Sequence, residues 1–433
     1  MDTIFALSSG LLPSGVAVIR LSGPRVGDVL LQCIGHIPPP RTMQFSVLRS
    51  ASGDILDRGL VVYFPAPNSF TGEDCAEFHL HGGKAVVARF LQELSMFAGC
   101  RSAEPGEFAR RAFAEGKLDL TEAEGLSDLI LAETESQRRL AVMGASGALA
   151  ELYRQWRKRL IKARALIEAE LDFADEGDVP GSVSDQIWQD VSLLKDDIAQ
   201  HIIDGERAGI MRDGLKIVIA GTPNAGKSSF LNRLAGEQVA LVTEEAGTTR
   251  DAIELRLVLG GLPVRVTDTA GLRDTDNRIE KMGIDIAINR IKEADLVLMI
   301  ADMQAPHMVA LPEIAAPVWH IGNKRDLGPG DHERWPMQIS VTTGQGWEDL
   351  MKRLLAFCQE KLVTIGDIVP ARNRQIELLK KGLSELQSAL RHDQLEICAE
   401  HLRIASDYLG RITGDIDVED LLDVIFSEFC IGK

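Results

Sequence analysis

The chain has 433 residues, an apolar fraction of 45% and a formal net charge of -17. That length exceeds one ordinary core and predicts roughly two to four domains. The acidic balance argues against a broad nucleic-acid-binding surface, because phosphate contacts need local positive charge. No stretch approaches the roughly 20 consecutive apolar residues that span a bilayer, so no membrane partner is expected. The opening MDTIFALSSGLLPSGVAVIRLSG has no basic region ahead of its apolar part. It reads as strand sequence and not as a signal peptide, and a cytoplasmic location is expected. The six cysteines, Cys33, Cys75, Cys100, Cys358, Cys398 and Cys430, show no metal-ligand spacing, and reduced thiols are expected.

From the start to about residue 116, short β-like runs alternate with turn residues. VAVIRL (Val16 to Leu21), LVVYF (Leu60 to Phe64) and AEFHL (Ala76 to Leu80) are rich in β-branched and aromatic residues. HGGKAVVARFLQEL then reads as a turn into a helix, giving a compact α+β domain over 1–116. From about Leu118 the character is helical, with Thr121 and Glu124 at capping-box spacing. Leu149, Leu152, Trp156, Leu160, Ala163 and Ile167 form the apolar stripe of a long amphipathic helix. Along the same stretch run Arg154, Arg157, Lys158, Arg159, Lys162 and Arg164, either a solvated helix face or a local basic patch. A second stripe, Ile376, Leu379, Leu383, Leu386 and Leu390, lies near the C-terminus. Between the two helical regions the runs LKIVIAG, VRVTDTAG, LVLMIAD and VWHIGNK end in Gly- and Asp-rich loops, the pattern of a parallel α/β sheet. The expected architecture is therefore an α/β P-loop domain over 211–354 inserted into an all-α domain built from 117–210 and 355–433.

The strongest signal is Gly221 to Ser228 in LKIVIAGTPNAGKSSFLNRL, which fits G-x-x-x-x-G-K-S between a strand and a helix. Glycines let such a backbone wrap phosphates with its N–H groups turned inward. Asn224, Ala225, Gly226, Lys227, Ser228 and Ser229 are the expected phosphate-side residues. Lys227 would reach the outer phosphates and Ser228 would ligate magnesium. Asp268, Thr269, Ala270 and Gly271 follow the strand VRVT. Asp268 would hold magnesium through its shell, and the Gly271 N–H would sense the γ-phosphate. Gly247, Thr248 and Thr249 lie between these motifs, with Thr249 as the switch threonine for magnesium; the alternative is plain turn chemistry. Asn323, Lys324 and Asp326 follow VWHIG. Asp326 can accept from the guanine N1–H and exocyclic amine, donors that adenine does not match. Ser340, Val341 and Thr342 resemble the loop that touches the guanine oxygen. Together the motifs predict a magnesium-dependent enzyme that binds and hydrolyses GTP, with Lys227 and Thr249 as catalytic candidates. Leu272 stands where a Ras-like enzyme places its water-orienting glutamine. Glu280 could polarise a water instead; its alternative is an exposed helix residue.

The whole chain resembles the MnmE (TrmE) family of tRNA-modifying GTPases. FCIGK at Phe429 to Lys433, ITGDIDVEDLLDVIFSEFCIGK, SFTGEDCAEFHLHGG at Ser69 to Gly83 and KLDLTEAEGLSDLI at Lys117 to Ile130 carry the likeness. The resemblance implies a homodimer joined through the N-terminal domain and a flavoprotein partner, MnmG, which holds the FAD. It implies addition of an aminomethyl or carboxymethylaminomethyl group to carbon 5 of the wobble uridine in certain tRNAs. A tetrahydrofolate derivative (5-formyl or 5,10-methylene) would supply the one-carbon unit. By this resemblance Arg20, Glu77, Lys117 and Lys433 would contact the folate. Arg and Lys suit the carboxylates of its glutamate tail, and Glu77 suits donors on the pterin edge. Cys430 would be either a functional thiol or a packing residue.

The resemblance also implies that G domains pair across the dimer when potassium binds near the β–γ phosphates, supplying the charge an arginine finger gives elsewhere. Asn224 would ligate that potassium, and the loop Val242 to Thr249 would wrap it, with Thr243, Glu245 and Thr248 offering oxygens beside Glu244 and Ala246. Glu280 aligns with the family's proposed general base or water-orienting carboxylate. Two departures stand out: Val341 replaces the usual alanine of the guanine loop, and Glu244 with Glu245 puts two charges in the potassium loop. The competing reading is a GTP-switched ribosome-assembly factor, which needs an RNA-binding domain with basic or aromatic surfaces; this chain is acidic and has three tyrosines.

Overall fold

The computed structural model describes residues 2–172, 182–236, 254–268, 288–305, 311–328, 330–361, 368–416, 419–427, 429 and 432. The chain forms two compact units, one of Met1–Ile130, Gly144–Lys195 and Lys381–Lys433, the other of Leu131–Met143 and Asp196–Lys380.

The first unit begins with the strands β1 (Thr3–Leu7), β2 (Ser14–Ser22), β3 (Gln44–Arg49), β4 (Ile55–Phe64), β5 (Cys75–Gly82) and β6 (Cys100–Ser102). They form one sheet in the order β3-β4-β5-β2-β1-β6, antiparallel except for the parallel β1–β6 pair. The three strands expected from sequence all lie within it. Alternation along each strand sorts the side chains. Ala17, Ile19 and Leu21 of β2 and Ala76, Phe78 and Leu80 of β5 are buried. The helices Val26–Ile34 and Lys84–Ser95 lay their apolar stripes on this face, and Phe90 meets Phe78 at 5.0 Å between ring centroids. Each large side chain so enclosed contributes about 1.5–3 kcal/mol of hydrophobic stabilisation. Arg20 and Glu77, the intervening residues of paired strands, therefore fall side by side on the opposite face.

The helical part of this unit corrects one detail of the sequence reading. The helix Leu120–Leu131 is capped by Asp119 and Glu122 and not by Thr121 and Glu124. Asp119 Oδ1 accepts from the N–H groups of Thr121 and Glu122, while Glu122 Oε2 accepts from the Asp119 N–H. Thr121 and Glu124 are buried within the helix instead. The apolar stripe of the helix Ala148–Asp172 packs on the helix Leu395–Thr413. Leu149, Trp156, Leu160, Ala163 and Ile167 are buried, with Tyr153 enclosed where the stripe expected Leu152. Half of the basic run beside that stripe is paired: Arg154 with Asp415, Arg159 with Asp190 and Arg164 with Glu168. The helix Glu419–Ser427 joins its Ile425 and Phe426 to Ala109, Leu120, Ala123 and Phe429.

The second unit holds β7 (Leu215–Ala220), β8 (Glu254–Leu259), β9 (Leu262–Asp268), β10 (Leu296–Asp302), β11 (Val318–Asn323) and β12 (Met337–Gln338). Their order is β12-β11-β10-β7-β9-β8, parallel except for β8, which runs antiparallel to β9. The four runs read as parallel strands are β7, β9, β10 and β11. Strand β8 was not anticipated; Gly260 and Gly261, at φ 60° and 87°, make its two-residue turn into β9. Trp347, Leu350 and Leu354 of the helix Trp347–Glu360 close the core with Phe230 and Leu234 of the helix Lys227–Gly236. Cys33, Cys75, Cys100, Cys358 and Cys398 form no disulfides. Among the described residues no helix is long and apolar enough to cross a membrane.

Candidate functional site

The parallel strands of the second sheet end together. Ile219 of β7 pairs with Asp268 of β9, Met299 of β10 with Ala220 of β7, and Asp302 of β10 with Asn323 of β11. In such sheets the crevice beyond the carboxyl ends of the strands is the natural ligand site. The turn after β7 is the glycine-rich loop. A Cβ on Gly221 would lie 2.0 Å from the Ile300 carbonyl oxygen, and one on Gly226 would lie 2.2 Å from Asn323 Nδ2. Only glycine lets the loop pass this close. Asn224 sits at φ 65° and Gly226 at φ 98°, a left-handed stretch that turns backbone N–H groups to one side. The helix Lys227–Gly236 then starts, anchored by buried Phe230, Leu231 and Leu234, with its N-terminal dipole aimed back at the loop. Lys227 Nζ donates to the carbonyls of Gly221 at 2.8 Å and Thr222 at 3.0 Å, so the ammonium lies across the loop.

Asp268 closes the other side. Its carboxyl is buried, and its Oδ1 has no hydrogen-bond partner among the described residues. Burial pushes its pKa above the usual carboxylate range, against the pull of the nearby Lys227 charge. A buried acceptor oxygen without a donor among the described residues suits a hard cation such as magnesium, for which the Ser228 hydroxyl at the head of the helix would be a second oxygen donor.

Asn323 ties the phosphate side to the base side. Its Nδ2 donates to the Ala225 carbonyl at 2.8 Å, and its Oδ1 accepts from the Val341 N–H at 3.2 Å. Lys324, at φ 68°, ion-pairs with Asp302 at 2.6 Å. Burial alone would raise the Asp302 pKa, but the Lys324 hydrogen bond and the Gln304 N–H bring it below the usual value. Asp326 is exposed, its carboxylate available to solvent or ligand. Ser340 is buried in a tight turn: its N–H donates to Gln345, its carbonyl accepts from the Gly344 N–H, and its Oγ accepts from the Thr343 N–H. Val341 is buried and Thr342 exposed. Arg233 was missed by the sequence reading. Its Nη1 donates to the Val341 carbonyl at 2.6 Å, and no local motif marks it.

Thr243, Glu244, Glu245, Ala246, Gly247, Thr248, Thr249, Thr269, Ala270, Gly271 and Glu280 lie outside the described residues, as do Cys430 and Lys433.

The second cluster lies on the N-terminal sheet. Arg20 Nε donates to Glu77 Oε1 at 2.9 Å, and the guanidinium lies 5.3 Å from the Phe70 ring centroid and 5.8 Å from that of Phe108. His79 Nε2 is 3.5 Å from the other Glu77 oxygen. Lys117 is exposed and runs beside Gly72, in the loop that supplies Phe70; a Cβ on Gly72 would lie 3.2 Å from Lys117 Cε. Gly432 packs on the end of β1, where its carbonyl accepts from Ser8 Oγ at 2.8 Å. Arg20 is paired across to Ala6 on that strand, one rung from Leu7. The fold thus brings Arg20 and Glu77 into contact, sets Lys117 against the same loop, and carries the C-terminal signature to the same sheet.

Comparison with known proteins identifies the family. The model of the GTP-binding protein TrmE N-terminus matches residues 3–117, and that of the MnmE helical domain matches residues 120–430. The chain is 62% identical over 435 residues to the tRNA modification GTPase MnmE of Bartonella henselae, covering 100% of both chains. It is 62% identical over 436 residues to that of Bartonella quintana, again with 100% of both covered. Against the same protein of Brucella anthropi it is 59% identical over 434 residues, covering 100% of this chain and 98% of that one. A likeness of this depth along the whole length places the chain in one family: it belongs to the MnmE tRNA modification GTPases.

Proposed function

We propose that this chain binds GTP at the carboxyl ends of β7, β9 and β11, hydrolyses it with magnesium, and uses that cycle in tRNA modification. The observation that carries the reading is the convergence of Lys227, the buried Asp268 oxygen without a partner among the described residues, and the Asn323 clamp at one end of one sheet. Lys227 and the loop N–H groups neutralise and hold the phosphates. Asp326 accepts from the guanine N1–H and amine and so selects the base. Ser228 and Thr249 would ligate magnesium and Asp268 would hold it through its shell; the ion would screen the charge that builds on the phosphate oxygens. Glu280 orients or polarises the attacking water, taking the place of the glutamine that Leu272 displaces. Asn224 and oxygens of Thr243, Glu245 and Thr248 would hold potassium, whose charge would stabilise the phosphates and favour pairing of two G domains.

The finer assignment follows the family. The chain works as a homodimer with an MnmG-type flavoprotein, in a heterotetramer, to build the (carboxymethyl)aminomethyl group on carbon 5 of the tRNA wobble uridine. The N-terminal domain, 1–116, binds the tetrahydrofolate one-carbon donor through Arg20, Glu77, Lys117 and Lys433. The helical domain, 117–210 and 355–433, carries the G domain, 211–354. The match of residues 3–117 to the TrmE N-terminus supports this over a ribosome-assembly switch, which needs an RNA-binding module there. The test is GTP turnover in potassium against sodium at matched ionic strength, with Glu280→Ala alongside. Faster hydrolysis in potassium, lost in the variant while GTP still binds, is the expected result. Turnover indifferent to the cation overturns the pairing mechanism.

A further inference from the structure

The contacts around the base loop form a closed ring. The Ala225 carbonyl of the phosphate loop accepts from Asn323 Nδ2; Asn323 Oδ1 accepts from the Val341 N–H; the Val341 carbonyl accepts from Arg233 Nη1 at 2.6 Å. Arg233 belongs to the helix Lys227–Gly236, which leads back to the phosphate loop. Both backbone groups of Val341 are thus fixed, one by Asn323 and one by Arg233. The guanidinium is itself held in place. It lies 5.1 Å from the Trp347 ring centroid, while Phe230, one turn earlier on the same helix, meets that ring edge-on at 5.0 Å. Gly344 leaves the space it needs: a Cβ there would come within 2.6 Å of Arg233 Nη2.

We infer that Arg233 is a positioning residue for guanine recognition: by holding the Val341 carbonyl it aims the Ser340–Thr342 backbone at the guanine oxygen. A charge-assisted bond from a stacked, planar cation fixes direction in a way a neutral contact does not. The inference rests on reading Ser340–Thr342 as the guanine loop.

The test uses the full chain and two nucleotides, GTP and 6-thioguanosine triphosphate. The second keeps the N1–H and amine that Asp326 would read and replaces the oxygen by sulfur, a weaker acceptor. Arg233→Met keeps the length and the packing on Trp347 but removes the donors. Expected are a GTP affinity about tenfold weaker, an unchanged hydrolysis rate at saturating GTP, and a discrimination between the two nucleotides that falls toward unity. Arg233→Lys, which can still donate to the carbonyl, should recover part of the discrimination. Equal loss for both nucleotides, or no loss, overturns the inference; a fall in the saturated rate assigns Arg233 to the phosphate side and overturns it as well. If Arg233→Met does not fold, Arg233→Lys decides: a partial fall in discrimination supports the donor role, and full wild-type discrimination or a loss equal for both nucleotides refutes it. If the unaltered chain does not distinguish the two nucleotides at all, the guanine-loop reading itself fails, an outcome separate from the others.

Discussion

The two units each contain a six-stranded sheet, and they present candidate residues in opposite ways. In the parallel sheet, the described candidates lie at or beyond the carboxyl ends of strands, on turns and a helix start whose residues are contiguous in sequence. In the antiparallel sheet, Arg20 and Glu77 project from the middles of β2 and β5, and their partners Phe70 and Phe108 come from distant segments. A loop-end site lets the backbone do much of the binding, so it demands glycines and leaves a motif. A strand-face site depends on side chains brought together by pairing register, and so leaves almost none.

If that contrast is right, single substitutions should act differently on the two sites. The largest effect is expected for Lys227→Ala. The ammonium donates to two loop carbonyls, and removing it also takes away the charge that pulls down the pKa of buried Asp268, so the domain should lose some stability but stay folded. Hydrolysis should fall about 10²–10³-fold, as when one preorganised electrostatic group is removed from a transition state. Single-turnover GTP cleavage with a thermal melt as control measures it; a matching loss of folded structure would contradict the loop-end account. Next comes Asn323→Ala. It strips a buried amide from two backbone groups at once, and each group left unpaired costs about 1–3 kcal/mol. Calorimetric titration should give GDP binding about 10–100-fold weaker, with a lower melting temperature, because here the same bonds serve fold and ligand.

The legibility of the sequence follows the same divide. Gly221 to Ser228, Asp268 and Asn323 to Asp326 could be read directly because the geometry that needs them is local. Strand β8 went unread although its Gly260-Gly261 turn between alternating apolar runs is a hairpin signal. The cap at Leu120 was placed two residues late, because Asp119 with Glu122 satisfies the same spacing rule as Thr121 with Glu124. Arg233 carried no signal: its role depends on Val341, Gly344 and Trp347, which lie more than a hundred residues away in the chain. Arg20 and Lys117 read as ordinary surface charges without the family resemblance. Register, not composition, sets Arg20 against Glu77.

The strand-face site should therefore respond less sharply. Arg20→Met keeps the stacking length between Phe70 and Phe108 but removes the charge. Affinity for a tetrahydrofolate derivative should fall about tenfold, read by fluorescence or calorimetric titration, while GTP hydrolysis by the isolated chain stays the same. A change in hydrolysis with no change in folate binding would argue against assigning the two functions to separate sheets.

The smallest effect separates the units by pH. His201, in the second unit on the helix Ser182–Asp213, is buried, and burial brings its pKa down from 6.5 to about 4 against the opposing charge of Asp204. Its folded form binds fewer protons than the unfolded chain between those values, so the stability it permits is present above 6.5 and lost as pH falls toward 4. At about pH 5.5 the loss is roughly 1 kcal/mol. In the first unit the sensitive groups are carboxylates. Arg101 holds Asp2 below its usual value, and Arg101 with the Glu104 N–H and Arg111 outweighs burial to do the same for Glu107. Their stability is present above the unfolded carboxylate values of 3.8 and 4.5 and is lost only as pH falls through the lower folded values. Lowering the pH from 7 to about 5.5 should thus weaken the unit with the parallel sheet first. Differential scanning calorimetry with His201→Gln checks this: the substitution should flatten the pH response of that unit's transition and leave the other unchanged. An unaltered pH response would move the acid sensitivity to another group and remove this distinction between the two units.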